Sequence, residues 1–107
     1  MAWIILVAAA LFEIAWAIGL KYTVGFTRLW PSLWTGLGLV ASVALLAVAA
    51  RTLPIGTAYA VWTGIGAAGT ALMGVWLFQE PLTLPRVVCL GLIIAGAVGL
   101  RLVSPGP

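Results

Sequence analysis

The pattern of apolar and polar positions divides the chain into four long apolar stretches separated by short polar or proline-containing breaks. A helix that crosses a bilayer needs about 20 mostly apolar residues. Residues 2–20 supply one, and the segment KYTVGFTRLWP, with Lys21, Gly25 and Arg28, closes it. Pro31 stands at the start of a second span, 32–50, where a missing backbone N–H costs nothing. Arg51 ends that span, RTLP turns the chain, and Pro54 opens a third span, 54–78. QEPLTLPR leads into a fourth, 85–103, and the closing SPGP reads as a short frayed tail. No proline interrupts the interior of any span. The pattern predicts an all-α membrane protein, residues 1–107 forming a single four-helix transmembrane domain. Loops this short make consecutive helices antiparallel neighbours. One such unit has little interior in which to hide a cavity, so oligomerisation is expected.

Composition strengthens this picture. The chain is 64% hydrophobic and 7% charged, with a mean hydropathy of +1.26, whereas soluble domains are about a quarter charged. Thirteen glycines and six tryptophans suit close helix packing and membrane interfaces. Five Lys and Arg residues scattered singly give a formal charge of +3 without a basic patch, so nucleic acid is not an expected partner. Cys89 is the one cysteine and histidine is absent, which leaves no intrachain disulfide, no thiolate metal cluster and little of the usual catalytic vocabulary. No metal, cofactor or enzymatic activity is expected. Ala15-Trp16-Ala17 imitates a signal-peptidase site, but no basic residue precedes Lys21 and Glu13 interrupts the apolar stretch. The first segment therefore reads as a retained helix.

Loop charge should set orientation. With the N-terminus inside, Arg51 and Arg101 lie on the cytoplasmic side, against Lys21, Arg28 and Arg86 on the other. So even a balance permits insertion both ways, and two oppositely oriented copies would form an inverted-repeat transporter from one chain. The competing reading is that one residual charge fixes a single orientation.

Candidate chemistry begins at Glu13, one of two acidic residues, set near the middle of the first apolar stretch. An acid there costs roughly 2.5–3.5 kcal/mol on insertion scales, and intramembrane acids usually mark an ion or substrate path. Burial disfavours the charged form of a carboxyl while donors and cations favour it, so such a group is suited to proton exchange. The plainer alternative is a neutral acid joining two helices. Helical spacing aligns Glu13 with Ala9, Ala10, Trp16 and Ala17. Trp16 brings an indole N–H donor one turn away, or else serves as an interface anchor. Ser42 is the polar residue near the middle of the second span, where it can also bond its own backbone four residues back. In the third span GTAYAVWTGIGAAG puts Gly56, Tyr59, Thr63 and Gly66 on one stripe with Trp62 beside it. Tyr and Trp offer donors and cation-attracting faces, or an aromatic belt. Gly64 to Gly69 matches G-x-G-x-x-G, but no strand precedes it, so Gly64 and Gly66 read as packing or hinge glycines. Glu80 sits in a loop where an acid suits a helix N-terminus, and Cys89 reads as a small buried hydrophobe.

The segments FEIAWAIGLKY, GFTRLWPS, LPIGTAYAVWTGIGAAG and EPLT resemble the small multidrug resistance family over essentially the whole chain. Glu13-x-x-Trp16 and WTGIG are similar to its guanidinium-exporter branch. The resemblance implies an antiparallel, dual-topology homodimer in the bacterial inner membrane. It also implies proton-coupled antiport, with Glu13 shared between substrate and protons and Trp16, Ser42, Tyr59 and Trp62 as its supporting ring. Ala10 stands where the family pattern leads one to expect glycine, and Cys89 where it leads one to expect a smaller residue on the helix 4 contact. Gly91, Gly96 and Gly99 still leave a small-residue face there. Guanidinium, planar with a fork of N–H donors, matches a carboxylate bidentately, whereas quaternary ammonium ions want an apolar aromatic cage. The alternatives are a multidrug exporter of quaternary ammonium or lipophilic cations and, more distantly, a proton-carrying or structural membrane subunit.

Overall fold

The computed structural model describes residues 1–103, so the SPGP tail lies outside the described residues. Four helices follow one another: α1 (Ala2–Tyr22), α2 (Leu29–Ala49), α3 (Ile55–Phe78) and α4 (Leu84–Val103). All four are long and apolar enough to cross a membrane. Their bounds depart from the apolar stretches mainly at prolines. α2 starts at Leu29, ahead of the expected residue 32, and carries Pro31 within its first turn. Backbone N–H groups there have no partner in the helix, and the first bond beyond the proline runs from Ser32 N–H to the Arg28 carbonyl at 3.2 Å. Pro54 caps α3 rather than beginning it, with a φ of −56° that the pyrrolidine ring fixes anyway. Pro85 falls inside the first turn of α4.

The α1–α2 connection is built around Thr23, which is buried. Its hydroxyl donates to the Leu20 carbonyl at 2.7 Å and accepts the Phe26 N–H at 3.1 Å. Val24, Gly25 and Phe26 all take left-handed backbone angles, with φ of 50°, 67° and 65°. The N–H groups of Thr27 and Arg28 then both return to the Thr23 carbonyl. A polar turn closed on itself in this way leaves few backbone groups unsatisfied at the membrane edge.

Side-chain contacts fix the helix directions. The Tyr22 and Phe78 rings stand 5.4 Å apart, so α1 and α3 end side by side. The Arg101 guanidinium lies 4.8 Å from the Trp3 ring, which brings the end of α4 to the start of α1. Direction therefore alternates along the chain. Neighbourhood does not follow chain order, however. α1 packs on both α2 and α3, while α2 and α3 meet only sparingly despite the short 50–54 linker. The expectation that every consecutive pair would be close neighbours fails there, because α1 lies between them.

The core explains why α1 is central. Ala2, Leu6, Ala9 and Ala10 of α1 pack with Leu46 and Ala49 of α2, Leu53, and Ala58, Val61 and Trp62 of α3. Alanines on α1 let both neighbours approach closely, the usual basis of helix association where lipid removes the hydrophobic drive. α4 is an outrigger on α3, and Ala97 is its one buried residue among those described. Ile93 and Ala97 rest on Gly64. The chain is a slab of 43 × 34 × 17 Å, about two helices deep.

Candidate functional site

Glu13 leaves α1 toward α3, on the side away from α2. Its carboxylate rests directly on Gly66, where a Cβ would overlap the carboxyl group. One turn on, Ile14 occupies the same kind of gap over Gly69. A Cβ at either position would push the Glu13 or Ile14 side chain aside. Glu13 Oε1 is buried and makes no hydrogen bond within the chain among the described residues. It lines an open cavity of about 420 Å³ together with Ala17, Lys21, Thr63, Gly66 and Thr70. Phe78, Glu80 and Arg86 line the same cavity toward the ends of α1 and α3. A carboxylate with unused acceptor capacity, walled by glycine and threonine, is suited to receive a small cation with N–H donors.

Ser42 and Trp62 form a second cluster. Ser42 does not bond its own helix: its hydroxyl donates to the Ala9 carbonyl of α1 at 2.7 Å. It accepts the Trp62 indole N–H at 3.0 Å, so one buried hydroxyl ties α1, α2 and α3 together. The Tyr59 ring lies 5.6 Å from the Trp62 ring at 46° and is 55% exposed. Ser42, Tyr59 and Trp62 are thus brought together, joined to Glu13 through the Ala9 turn of α1 rather than by direct contact.

Trp16 is placed elsewhere. Its Cβ packs over Gly38 of α2, and it lines a separate cavity of about 570 Å³ with Phe12, Tyr22, Trp34 and Thr35. Its indole Nε1 is buried without a partner among the described residues. Within one chain Trp16 does not donate to Glu13: Glu13 turns to Gly66 of α3, whereas Trp16 turns to Gly38 of α2. The glycines also divide. Gly64 and Gly66 receive side chains from α4 and α1, whereas Gly96 has nothing within 4 Å of a Cβ. The packing expected of Gly96 is therefore not made inside one chain. Cys89 is exposed, not buried, since it lies on the outward face of α4. Ala10 is fully buried, so the methyl group standing at this position is accommodated in the core.

Sequence reasoning missed Thr70, Lys21, Glu80 and Arg86 as residues lining the cavity that holds Glu13. The stripe Gly66-Thr70-Gly74, spaced by one helical turn, points to Thr70; no local spacing points to the other three. The sequence suits Glu80 to the dipole of the following helix, but in the structure it folds back toward α3. Its carboxylate lies on Gly74 and pairs with Arg86 at 3.0 Å.

Comparison with known proteins agrees with this architecture. A family model described as Small Multidrug Resistance protein matches residues 1–93. Proteins named "Guanidinium exporter" from Yersinia pseudotuberculosis and Yersinia pestis are each 61% identical over 104 residues, covering 97% of this chain and 100% of theirs. A protein of the same name from Citrobacter freundii is 57% identical over 102 residues, covering 95% of this chain and 97% of its own. The chain therefore belongs to the small multidrug resistance family, and its four spans fit a multi-pass protein of the bacterial inner membrane.

Proposed function

We propose that this protein is a transporter that exports guanidinium in exchange for protons, working as a pair of chains inserted in opposite orientations. The observation that carries the reading is the Glu13 carboxylate, held on Gly66 with its Oε1 unpartnered in a cavity that also presents Thr63 and Thr70. Relatives that match nearly the whole chain and are named for guanidinium export support the choice of cation.

The mechanism follows from competition. A planar guanidinium ion bonds a carboxylate through two parallel N–H donors. A proton on the same carboxylate removes that option. Loading the cation therefore displaces protons, and the empty charged site is costly to carry through a low-dielectric interior. Exchange results without a separate coupling device. Two chains are favoured by the shape of one: a slab two helices deep leaves the Glu13 cavity open on one side. The unpaired face of α4, carrying Gly91, Gly96 and Gly99, offers a surface on which a second copy can pack. Trp16, Ser42, Tyr59 and Trp62 then act as the wall of the shared site, with the buried Trp16 N–H as a donor available when the two chains meet.

Uptake of labelled guanidinium into proteoliposomes under an imposed pH gradient tests the reading. We expect gradient-driven accumulation, together with much weaker uptake of a quaternary ammonium ion. Accumulation of the quaternary ion in preference to guanidinium would assign the chain to multidrug export instead.

A further inference from the structure

The cavity that holds Glu13 also contains the chain's second acid, and the two are built alike. Glu13 rests on Gly66 and Glu80 rests on Gly74, both glycines on one stripe of α3. Eight residues of helix separate them by about 12 Å. Thr70 lies midway on the same stripe, and its buried Oγ1 has no hydrogen-bond partner among the described residues. The stripe thus runs carboxylate, hydroxyl, carboxylate from the mid-membrane site toward the mouth, where Lys21 and Arg86 also line the cavity.

Glu80 is held there by local structure. Gln79 takes a left-handed conformation with φ of 57°, which ends α3 and turns the chain back. The Glu80 N–H returns to the Gly74 carbonyl at 3.4 Å. Arg86 donates one nitrogen to Glu80 Oε1 at 3.0 Å and another to the Pro81 carbonyl at 3.1 Å. Both members of the pair are about one-third exposed, at 33% for the Arg86 side chain and 35% for that of Glu80. Ion pairs this accessible are weak and exchange readily. The group on Glu80 is itself a guanidinium.

We propose that Glu80 is a peripheral binding site for the transported guanidinium-type cation, kept occupied by the Arg86 side chain until substrate displaces it. This deepens the transport reading above and rests on it. Replacing one guanidinium by another on the same carboxylate keeps the hydrogen-bond chemistry unchanged, so free cation has only the tether of Arg86 to overcome, an effective concentration on the order of millimolar. A cation without N–H donors cannot make it. The released cation then has the Thr70 hydroxyl between it and Glu13. Lys21, whose Nζ lies 5.0 Å from the Phe78 ring centroid, keeps a positive charge at the mouth and disfavours cations that gain no carboxylate contact. In an oppositely oriented pair each side of the membrane would receive one such mouth.

The test separates exchange on Glu80 from general electrostatics. In detergent-solubilised Glu13→Gln protein, where the central carboxylate is gone, the Arg86 side-chain N–H resonance is followed by NMR. Guanidinium chloride is titrated against tetramethylammonium chloride at equal ionic strength. We expect a saturable shift with guanidinium, on the order of millimolar, none with tetramethylammonium, and none once Glu80→Gln is added. Equal shifts with both salts would overturn the site. In chains that keep Glu13, Glu80→Gln should lower kcat/KM for guanidinium about three- to tenfold with kcat retained, most strongly at low salt. Arg86→Gln should raise it. If the pair were only structural, both variants would lower transport together, and that result would also overturn the proposal. Absence of guanidinium uptake in the parent would instead strike at the transport reading, and the Arg86 titration would still decide the Glu80 site.

Discussion

Ser42 is the residue through which three helices are tied together by hydrogen bonds. Its hydroxyl joins the Ala9 carbonyl to the Trp62 indole across three helices, and all of these groups lie in the interior. Ser42→Ala strands the buried Trp62 indole N–H, while the Ala9 carbonyl loses its second partner and keeps the intrahelical one. Interhelical hydrogen bonds in membranes are worth about 0.6–2 kcal/mol, and a stranded buried group costs about 1–3 kcal/mol. Ser42→Ala should therefore destabilise the chain by roughly 1–3 kcal/mol, seen as a lower unfolding midpoint in micelles. An unchanged midpoint would show that the hydroxyl does not bridge these helices. The sequence left two roles open for this residue, its own backbone or the site. Nothing in the local spacing points to a third role, because the acceptor is 33 residues away. Glu13 was legible for the opposite reason: a carboxyl inside an apolar run carries its own energetic signal. What the spacing does not reveal about Trp16 is which neighbour it meets within the chain: its Cβ packs over Gly38 of α2.

At the scale of elements, the four spans were readable from the apolar runs, and what blurred their bounds was proline. A proline in a first turn looks like a boundary but is tolerated beyond it, as Pro31 and Pro85 show. The glycines were readable as packing positions, but what packs on each was not. Gly66 receives a carboxylate, Gly64 receives α4, and Gly96 meets open space within the chain. This difference yields a paired prediction. Alanine raises helix propensity over glycine, so Gly66→Ala should not cost helicity, yet its Cβ must push Glu13 aside. Loss of a well-aligned charge-assisted pair is worth about 1.5–3 kcal/mol, or roughly one to two decades in guanidinium affinity. Gly36→Ala, where a Cβ meets nothing within 4 Å and which lies outside the α4 face proposed for pairing, should leave guanidinium affinity within about twofold of the parent in equilibrium binding. Equal losses in the two variants would remove the special position of Gly66.

For the whole molecule, the governing features are its thinness and its charge balance. A slab 17 Å deep has an interior large enough for an alanine-rich seam but leaves its polar cavity open at one flank. Arg51 and Arg101 on one side, against Lys21, Arg28 and Arg86 on the other, give the membrane little reason to prefer one orientation. Both features fit the proposed pairing with an inverted second copy, in which each chain would contribute one Glu13 carboxylate. The measurement that bears most directly on that carboxylate is coupled flux in Glu13→Gln proteoliposomes, with guanidinium and proton movement recorded together. An amide keeps the size of the side chain but neither titrates nor pairs with a cation. The account predicts that guanidinium exchange and the accompanying proton movement disappear together, with helical content and micelle behaviour unchanged. Proton-linked guanidinium exchange persisting in the variant would contradict it.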